Sequence, residues 1–269
     1  MPEVMKRTLC AVSPSLYRFV RNRYHARLPY NRLLAQLGRH LNWTVAAGPF
    51  AGMKYLRSDC CERSLPKLLG SYEQELWPAL RQLSALPITD VINIGCAEGY
   101  YAVGLARLIP DAIVHAFDGL AAARASTRRA AEANGVAERM LVAGACDAHA
   151  LAAMPLQGAL VVIDCEGAEF EILDPAIAPG LEGSWMLVEL HDFIDSRITP
   201  ELRRRFSKSH QIEVIDAAPR DARGWPELRN LTAEEQTMAL DENRNYRGEP
   251  TRQQWAFLRP KRIGVGNPR

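Results

Sequence analysis

Short apolar runs alternate with amphipathic segments through most of the chain after residue 87. The runs are rich in Val, Ile and Leu, and the segments between them repeat apolar residues at helical spacing. This alternation predicts an α/β fold with a parallel sheet and helical crossovers. We predict strands at residues 88–94, 112–117, 140–145, 159–163 and 185–192, and two later strands at 211–215 and 253–258.

Two amphipathic helices are predicted before this alternating region. Ser13 and Pro14 suit the start of the first helix, and Pro29 ends it. Asn31 is predicted to cap the second helix, which carries apolar residues as far as Leu41. The first 42 residues contain eight Lys and Arg residues and one acidic residue. The pair could lie on an anionic membrane or on nucleic acid, but packing against the core or a second subunit is the favoured alternative.

The stretch between these helices and the alternating region resembles a lid. A turn and a short strand are predicted at 48–55, followed by a helix from Leu65 to about Leu86. Tyr72 and Glu73 lie beside Gly70, where the chain could bend over a ligand, so both are candidate substrate residues. A capped, solvent-facing helix start is an equally good interpretation of these residues.

Composition sets limits on the class of protein. The chain has 269 residues, 48% of them hydrophobic and 24% charged, with a net charge of +2, which suits one globular domain with additions. An uninterrupted apolar run of membrane-spanning length is absent from the sequence, so we expect a cytoplasmic protein. The six cysteines form no Cys-x-x-Cys pair, which favours neither a zinc site nor a disulfide framework.

The segment from Val91 to Tyr101 predicts a strand, a tight loop and a helix, an arrangement that binds nucleotides. Gly95, Ala97 and Gly99 are small residues that would let the loop backbone approach a ligand and present free amide groups. A dinucleotide fingerprint would need another glycine where Tyr100 stands, which argues against that class of ligand. The candidate cofactor residues of this loop are Asn93, Gly95, Cys96, Ala97, Glu98, Gly99 and Tyr100.

Two further strand ends carry candidate nucleoside contacts. Asp118 ends the second strand, where a carboxylate can accept hydrogen bonds from both hydroxyls of a ribose. Cys146 and Asp147 follow the third strand and would face the base. For Asp147 the stronger alternative is that it caps the next helix.

Charged residues cluster after the fourth and fifth strands. Asp164 and Glu166 are two residues apart on extended chain and so share a face, as do Glu189 and His191. If the two strands are neighbours, Asp164, Glu189 and His191 converge. Such a group could accept an ammonium, bind a divalent metal or orient His191 as a base, or it could simply satisfy helix ends.

These motifs resemble a known family. Gly-x-Ala-x-Gly after a strand resembles the first motif of class I S-adenosylmethionine-dependent methyltransferases, and Ile163 to Leu173 resembles the Asp-x-Glu-Gly-x-Glu motif of FkbM-type methyltransferases. The resemblance extends over about residues 48 to 260. It implies a Rossmann-like, seven-stranded and mostly parallel sheet with an antiparallel last strand, S-adenosylmethionine as cofactor, and methyl transfer to a hydroxyl of a small molecule, glycan or natural product.

The resemblance also implies roles for individual residues. Gly95, Cys96, Ala97 and Gly99 would line the cofactor, Asp118 would bind its ribose, and Asp164 would lie near the methionine and the acceptor. Asn93 stands where the motif usually has an acid, so Glu98, Glu166 or Asp164 would bind the ammonium instead.

We expect His191 to be the general base, with Asp164 and Glu189 as the other catalytic residues. A reaction without metal is favoured; the alternative is a divalent cation bound by Asp164, Glu189 and His191. The polar segment 219–250 is expected either to form part of the acceptor pocket or to be a surface loop. The candidate substrate residues are Tyr72, Glu73, His191, Asp192, Trp225 and Tyr246.

The sequence leaves other functions open. An NAD-dependent oxidoreductase and a cofactor-binding module without turnover are alternatives, and RNA methylation is disfavoured because the body lacks interleaved aromatic and basic residues. The expected partners are a small-molecule or glycan acceptor and a second copy bound through the N-terminal helices. We divide the chain into a basic extension at 1–45, a lid segment at 46–87, a methyltransferase domain at 88–262 and a tail at 263–269.

Overall fold

A seven-stranded mixed sheet forms the centre of the molecule in a computed structural model, which describes residues 28–61, 63–246 and 249–261. The predicted first helix, from Ser13, and the predicted tail lie outside the described residues. The strand order is β3-β2-β1-β4-β5-β9-β6, and β9 is antiparallel to both of its neighbours. The predicted fold class is therefore confirmed. The strands are β1 (Asp90–Ile94), β2 (Ile113–Phe117), β3 (Met140–Ala143), β4 (Leu160–Ile163), β5 (Trp185–Leu190), β6 (His210–Asp216), β7 (Asn245–Tyr246), β8 (Glu249–Pro250) and β9 (Gln254–Pro260).

Helices cover both faces of this sheet. They are α1 (Pro29–His40), α2 (Ser64–Leu69), α3 (Trp77–Ser84), α4 (Tyr100–Leu108), α5 (Ala121–Ala133), α6 (Ala148–Ala152), α7 (Glu169–Ile172), α8 (Ile198–Phe206) and α9 (Ala233–Leu240). Short 3-10 turns occur at Arg57–Asp59, Gln74–Leu76, Ala137–Arg139, Pro179–Gly183, Ala222–Gly224 and Pro226–Leu228. Within the described residues, every helix is too short or too polar to cross a bilayer.

Alternate side chains of the central strands pack into two separate hydrophobic cores, one on each face of the sheet. Val91 and Leu160 face a core that also contains residues of α1 to α5 and of α9. Ile92 and Val161 face the opposite core, which is completed by α6, α7 and α8. Because both faces are covered, β4 is apolar throughout and β1 and β5 are mostly apolar, which explains why the sequence shows them as nearly continuous runs.

The strand register brings four strand ends to one edge. Ile94 at the end of β1 pairs with Phe117 of β2 and with Ile163 of β4. Phe117 in turn pairs with Ala143 at the end of β3. The loops after β1, β2, β3 and β4 consequently meet at one edge, where ligands bind in open α/β sheets.

Two predicted helix boundaries were wrong. The helix predicted from Leu65 to about Leu86 is broken after Leu69, because Gly70 adopts a left-handed conformation with φ of 85°. A Cβ atom at Gly70 would lie 2.0 Å from the carbonyl oxygen of Ala47, so the chain packs too closely there for another residue. The helix predicted to be capped by Asn31 begins at Pro29, with Leu28 in the N-cap position.

The described part of the segment 219–250 contains regular secondary structure and is not a plain loop. It contains two 3-10 turns, α9 and the β7–β8 hairpin. The buried ring of Trp225 packs edge-on against Trp77 at 6.1 Å between centroids. The segment therefore packs against the start of α3.

Candidate functional site

The loop between β1 and α4 is shaped by its neighbour in the fold. Gly95 has a φ of 82°, and a Cβ atom there would lie 1.6 Å from the carbonyl oxygen of Asp164. At Gly99, with φ of 94°, a Cβ atom would lie 3.1 Å from the Cα atom of Thr127. The two glycines are thus required by the close approach of the protein's own backbone, a reason different from the ligand contact that the sequence suggested.

Most amide groups of this loop are already hydrogen-bonded. Gly95 and Cys96 both donate to the carbonyl oxygen of Phe117, at 2.9 and 3.0 Å, and Gly99 donates to Cys96 at 2.8 Å. The amide of Ala97 donates to Asp118. The amides of Gly95, Cys96, Ala97 and Gly99 therefore hold the turn in its own shape and are not free donors. The prediction of free amides at the start of the following helix stays a prediction.

A cavity of about 770 Å³ lies against the ends of β1, β2 and β4. Its volume is in the usual range for small-molecule sites. Of the predicted residues, Tyr72, Gly95, Ala97, Glu98, Asp118, Cys146, Asp164 and Glu166 line it. A cavity of about 890 Å³ between β6 and the segment 219–250 contains none of the predicted site residues.

Five predicted cofactor residues are absent from the lining of this cavity: Asn93, Cys96, Gly99, Tyr100 and Asp147. Cys96 is buried against the hydroxyl of Thr127, and burial raises the pKa of its thiol to about 11. The Tyr100 ring packs edge-on against Phe50 in the core. Asp147 caps α6 by accepting a hydrogen bond from the amide of Ala150 at 2.8 Å, which is the alternative stated for it. Cys96 and Tyr100 are therefore buried in the core beneath the loop, whereas Asp147 is exposed at the start of the helix that it caps.

Asp118 connects two parts of the cavity wall. One of its carboxylate oxygens accepts a hydrogen bond from the amide of Ala97 at 2.9 Å, and the other accepts from the amide of Leu120 at 2.8 Å. A carboxylate has about four acceptor positions, so it can accept further hydrogen bonds from a ligand. The side chain therefore holds the loop and faces the cavity at the same time.

Lys67 forms an ion pair with Glu98 at the cavity wall, and this pair was not predicted. Burial by itself lowers the pKa of Lys67, but the charge of Glu98 outweighs that effect and raises it. Burial likewise raises the pKa of Glu98, and the nearby Lys67 more than reverses this shift. The cavity thus presents a cation and an anion side by side.

His191 lies among carboxylates, as the strand pattern predicted. Its Nε2 atom is 3.6 Å from Asp164 Oδ1, and 3.8 Å from both Glu166 Oε2 and Glu189 Oε2. The histidine side chain is 3% exposed, whereas Glu166 is 74% exposed. The convergence of Asp164, Glu189 and His191 is therefore present, and Glu166 joins them.

Glu169 orients His191, a role that was not predicted. Its Oε1 atom lies 2.7 Å from His191 Nδ1 and also accepts hydrogen bonds from the amides of Cys165 and Gly167, each at 3.2 Å. Burial lowers the pKa of His191, but the hydrogen bond to Glu169 and the charges of Asp164 and Glu166 raise it above its usual value. The last acid of the Asp-x-Glu-Gly-x-Glu motif was the available signal, since it stands three residues after Glu166.

Glu189 behaves differently from the other acids of this group. Burial, the charge of Asp164 and a hydrogen bond to Asp164 raise its pKa well above the usual value. Arg63 lies close enough to oppose this shift, and a hydrogen bond connects Arg63 with Tyr72. Beside Asp164, the cavity wall therefore contains the guanidinium group of Arg63 and the phenol group of Tyr72.

The predicted substrate residues are not all brought to the cavity. Tyr72 lines it, whereas Glu73 is buried behind the wall and accepts a hydrogen bond from the hydroxyl of Tyr101. Both carboxylate oxygens of Asp192 bind Thr199 at the start of α8. Trp225 is buried against Trp77, away from this cavity. The side chain of Tyr246 lies outside what the structure describes.

Comparisons with known proteins found likeness only among solved structures. No protein-family model matches the chain, and no curated protein matches it. A candidate rRNA methylase from Clostridium thermocellum aligns with a TM-score of 0.49 and 10% identity, over 71% of this chain and 97% of the other. An rRNA methylase from Streptococcus thermophilus gives 0.45 and 13%, over 69% and 96%. An S-adenosylmethionine-dependent O-methyltransferase from Thermotoga maritima gives 0.45 and 13%, over 71% and 66%.

Proposed function

We propose that the protein is an S-adenosylmethionine-dependent methyltransferase that methylates a hydroxyl of a small molecule, sugar or natural product. The observation that carries the proposal is one cavity that runs from Asp118 at the end of β2 to the carboxylates at the end of β4. An adenosyl amino acid needs such a site, with a hydrogen-bond acceptor for the sugar at one end and charged groups for the amino acid at the other.

The nucleoside end of this cavity suits adenosine. The free acceptor positions of Asp118 can bind ribose hydroxyls, as proposed from the sequence. Phe117, Leu120, Cys146 and Ile172 give the same part of the wall an apolar surface for a base. Leu120 is 71% exposed, which is unusual for a large apolar side chain and is consistent with a ligand packing on it.

The other end suits an α-amino acid. Lys67 and Glu98 offer a cation for the carboxylate and an anion for the ammonium. Asn93, which stands where the family motif usually has an acid, is buried and does not line the cavity, so the ammonium would be bound by Glu98, Glu166 or Asp164.

The charged group around Asp164 suits the proposed reaction. When bound, S-adenosylmethionine supplies a methyl group on a positively charged sulfur, which becomes a neutral thioether after transfer. Asp164 and Glu166 provide negative charge at the cavity wall, and Tyr72 with Arg63 adds hydrogen-bond donors for an acceptor hydroxyl. The main contribution of these residues would be alignment of the acceptor with the methyl group.

The order of acids after β4 supports an FkbM-type assignment within this proposal. Glu169 is the third acid of the Asp-x-Glu-Gly-x-Glu motif. Its hydrogen bonds to the amides of Cys165 and Gly167 and to His191 explain why the motif has an acid at this position. Asp164 and Glu166 face the cavity from the same turn. This arrangement favours a small acceptor that reaches the end of β4.

Calorimetric titration with S-adenosylhomocysteine tests the proposal, with NAD⁺ as the competing ligand. We expect saturable binding of S-adenosylhomocysteine and none of NAD⁺. Asp118→Ala should weaken binding by roughly tenfold, because two hydrogen bonds to ribose contribute about 0.5–1.5 kcal/mol each. Asp195→Ala is the matched control, because Asp195 is a half-buried acid that pairs with the exposed Arg197 and does not line the cavity.

Binding of NAD⁺ alone would overturn the proposal in favour of an oxidoreductase. If S-adenosylhomocysteine binds, transfer of labelled methyl from S-adenosylmethionine to a panel of sugars and phenols then tests the acceptor class. Methylation of RNA with none of these hydroxyl acceptors would contradict the small-molecule assignment.

A further inference from the structure

The environment of His191 is unusual for a buried histidine. Its Nδ1 atom is hydrogen-bonded to Glu169, but its Nε2 atom has carboxylate oxygens only at 3.6 to 3.8 Å, beyond hydrogen-bonding distance. The side chain as a whole is 3% exposed, and its Nε2 atom faces the carboxylates of Asp164, Glu166 and Glu189. The space between Nε2 and these carboxylate oxygens is large enough for a small cation that would contact both.

We propose that Asp164, Glu166 and His191 bind a divalent transition-metal cation such as Mn²⁺. One ligand atom from each residue lies within 4.8 Å of the others. Donors bound at about 2.1 Å to one ion are separated by roughly 3.0–3.6 Å when they subtend 90° to 120°. The separation of 3.6 Å between His191 Nε2 and Asp164 Oδ1 is at the upper end of this range. The separation of 3.8 Å between His191 Nε2 and Glu166 Oε2 is slightly beyond it, but the exposed Glu166 side chain is free to move closer.

The surroundings of His191 match those of metal-binding histidines. Such histidines usually donate their other ring N–H to a carboxylate, which fixes the orientation of the ring. Glu169 has this position, and it is itself held by the amides of Cys165 and Gly167. The ligand set of two carboxylates and one imidazole suits Mn²⁺ or Zn²⁺ better than Ca²⁺, which prefers oxygen alone.

The third ligand differs from the one considered in the sequence. Glu189 is also 3.8 Å from His191 Nε2, but its carboxyl is hydrogen-bonded to Asp164. Asp164 and Glu166 line the cavity, whereas Glu189 does not. A cation at this position would therefore have open coordination positions towards the cavity, as catalytic metal sites do.

The consequence for the reaction rests on the proposed function. An acceptor hydroxyl bound to the cation would lose its proton more easily, because a bound cation stabilises the alkoxide. His191 would then act as a metal ligand and not as the general base. The alternative is that His191 carries a proton and pairs directly with the carboxylates, and the experiment below distinguishes the two.

Electron paramagnetic resonance of Mn²⁺ titrated into the full-length protein tests the site. We expect one bound ion per chain and a spin-echo modulation from a histidine nitrogen. His191→Gln should remove that modulation. Asp164→Asn and Glu166→Gln should each weaken binding at least about tenfold, and Glu169→Gln should weaken it by roughly 10- to 100-fold.

Glu171→Gln is the matched control, since Glu171 is an exposed acid on the same helix as Glu169. It should bind Mn²⁺ as the unchanged protein does. Glu166 is exposed, so its substitution leaves the fold intact and keeps the test valid even if a buried variant fails to fold.

Absence of saturable Mn²⁺ binding, or equal binding by the Glu166 and Glu171 variants, would overturn the metal site. Titration with S-adenosylhomocysteine keeps this outcome separate from the proposed function. Protein that binds S-adenosylhomocysteine but no Mn²⁺ contradicts only the metal site, whereas protein that binds Mn²⁺ but no S-adenosylhomocysteine contradicts only the methyltransferase.

Discussion

Asp118 and Glu169 each combine a structural role with a role at the candidate site. Asp118 holds the loop after β1 through the amide of Ala97 and faces the cavity with its remaining acceptor positions. Glu169 holds a turn and orients His191. The structural hydrogen bonds already fix the side chains of Asp118 and Glu169. Their orientation towards a ligand or towards His191 therefore costs no further side-chain entropy.

Glu73 gives a prediction for pH dependence. Burial raises its pKa to about 8, against about 4.5 in the unfolded chain. The folded protein therefore retains a proton that the unfolded chain releases, and this contribution to stability is present below pH 4.5 and lost as the pH rises to about 8. We expect a slope of up to about 1.4 kcal/mol per pH unit across this window.

Glu73→Gln should remove this slope, because the amide stays neutral and can still accept from Tyr101. Urea unfolding between pH 5 and pH 8.5 measures it, with the exposed Glu171→Gln variant as control. Parallel stability curves for the unchanged protein and the Glu73 variant would contradict the prediction.

At the level of elements, the strands were predictable and the helix breaks were less so. β4 is fully apolar, and β1 and β5 are largely so, because both faces of the sheet are covered there, and this signal is local in the sequence. The break at Gly70 depends on the carbonyl of Ala47, which is distant in the sequence. The pairing of Lys67 with Glu98 and of Glu169 with His191 likewise requires three-dimensional contact, and residue spacing alone did not reveal either.

Gly95 provides the test of how the β1 loop is packed. Gly95→Ala should destabilise the protein by several kcal/mol, because the new Cβ atom would overlap the carbonyl oxygen of Asp164 and the φ of 82° is unfavourable for alanine. Gly144→Ala is the control, since no atom lies within 4 Å of a Cβ there. Thermal unfolding of the two variants measures the difference. Similar melting temperatures would show that the loops after β1 and β4 are not in this close contact.

For the whole molecule, the segment 219–250 and the chain before the sheet form one connected layer. Arg220 and Arg244 each contact both Glu75, before α3, and Glu242, after α9. Three of these four side chains are less than 8% exposed. The sequence showed a polar stretch at this point, but it could not show that the charges pair across the fold, because the partners are far apart in the chain.

Removal of one arginine from this network should be costly. Among the described residues, Arg220→Ala would leave Arg244 as the counter-charge of both Glu75 and Glu242, and breaking a buried ion pair in this way costs about 3–5 kcal/mol. Arg223 is three residues away and pairs with Asp221 at the surface, with side chains 91% and 57% exposed. Arg223→Ala should therefore cost less than about 1 kcal/mol. Urea unfolding of both variants measures the difference, and a similar small loss for both would mean that the segment 219–250 is not held to the rest of the fold by these charges.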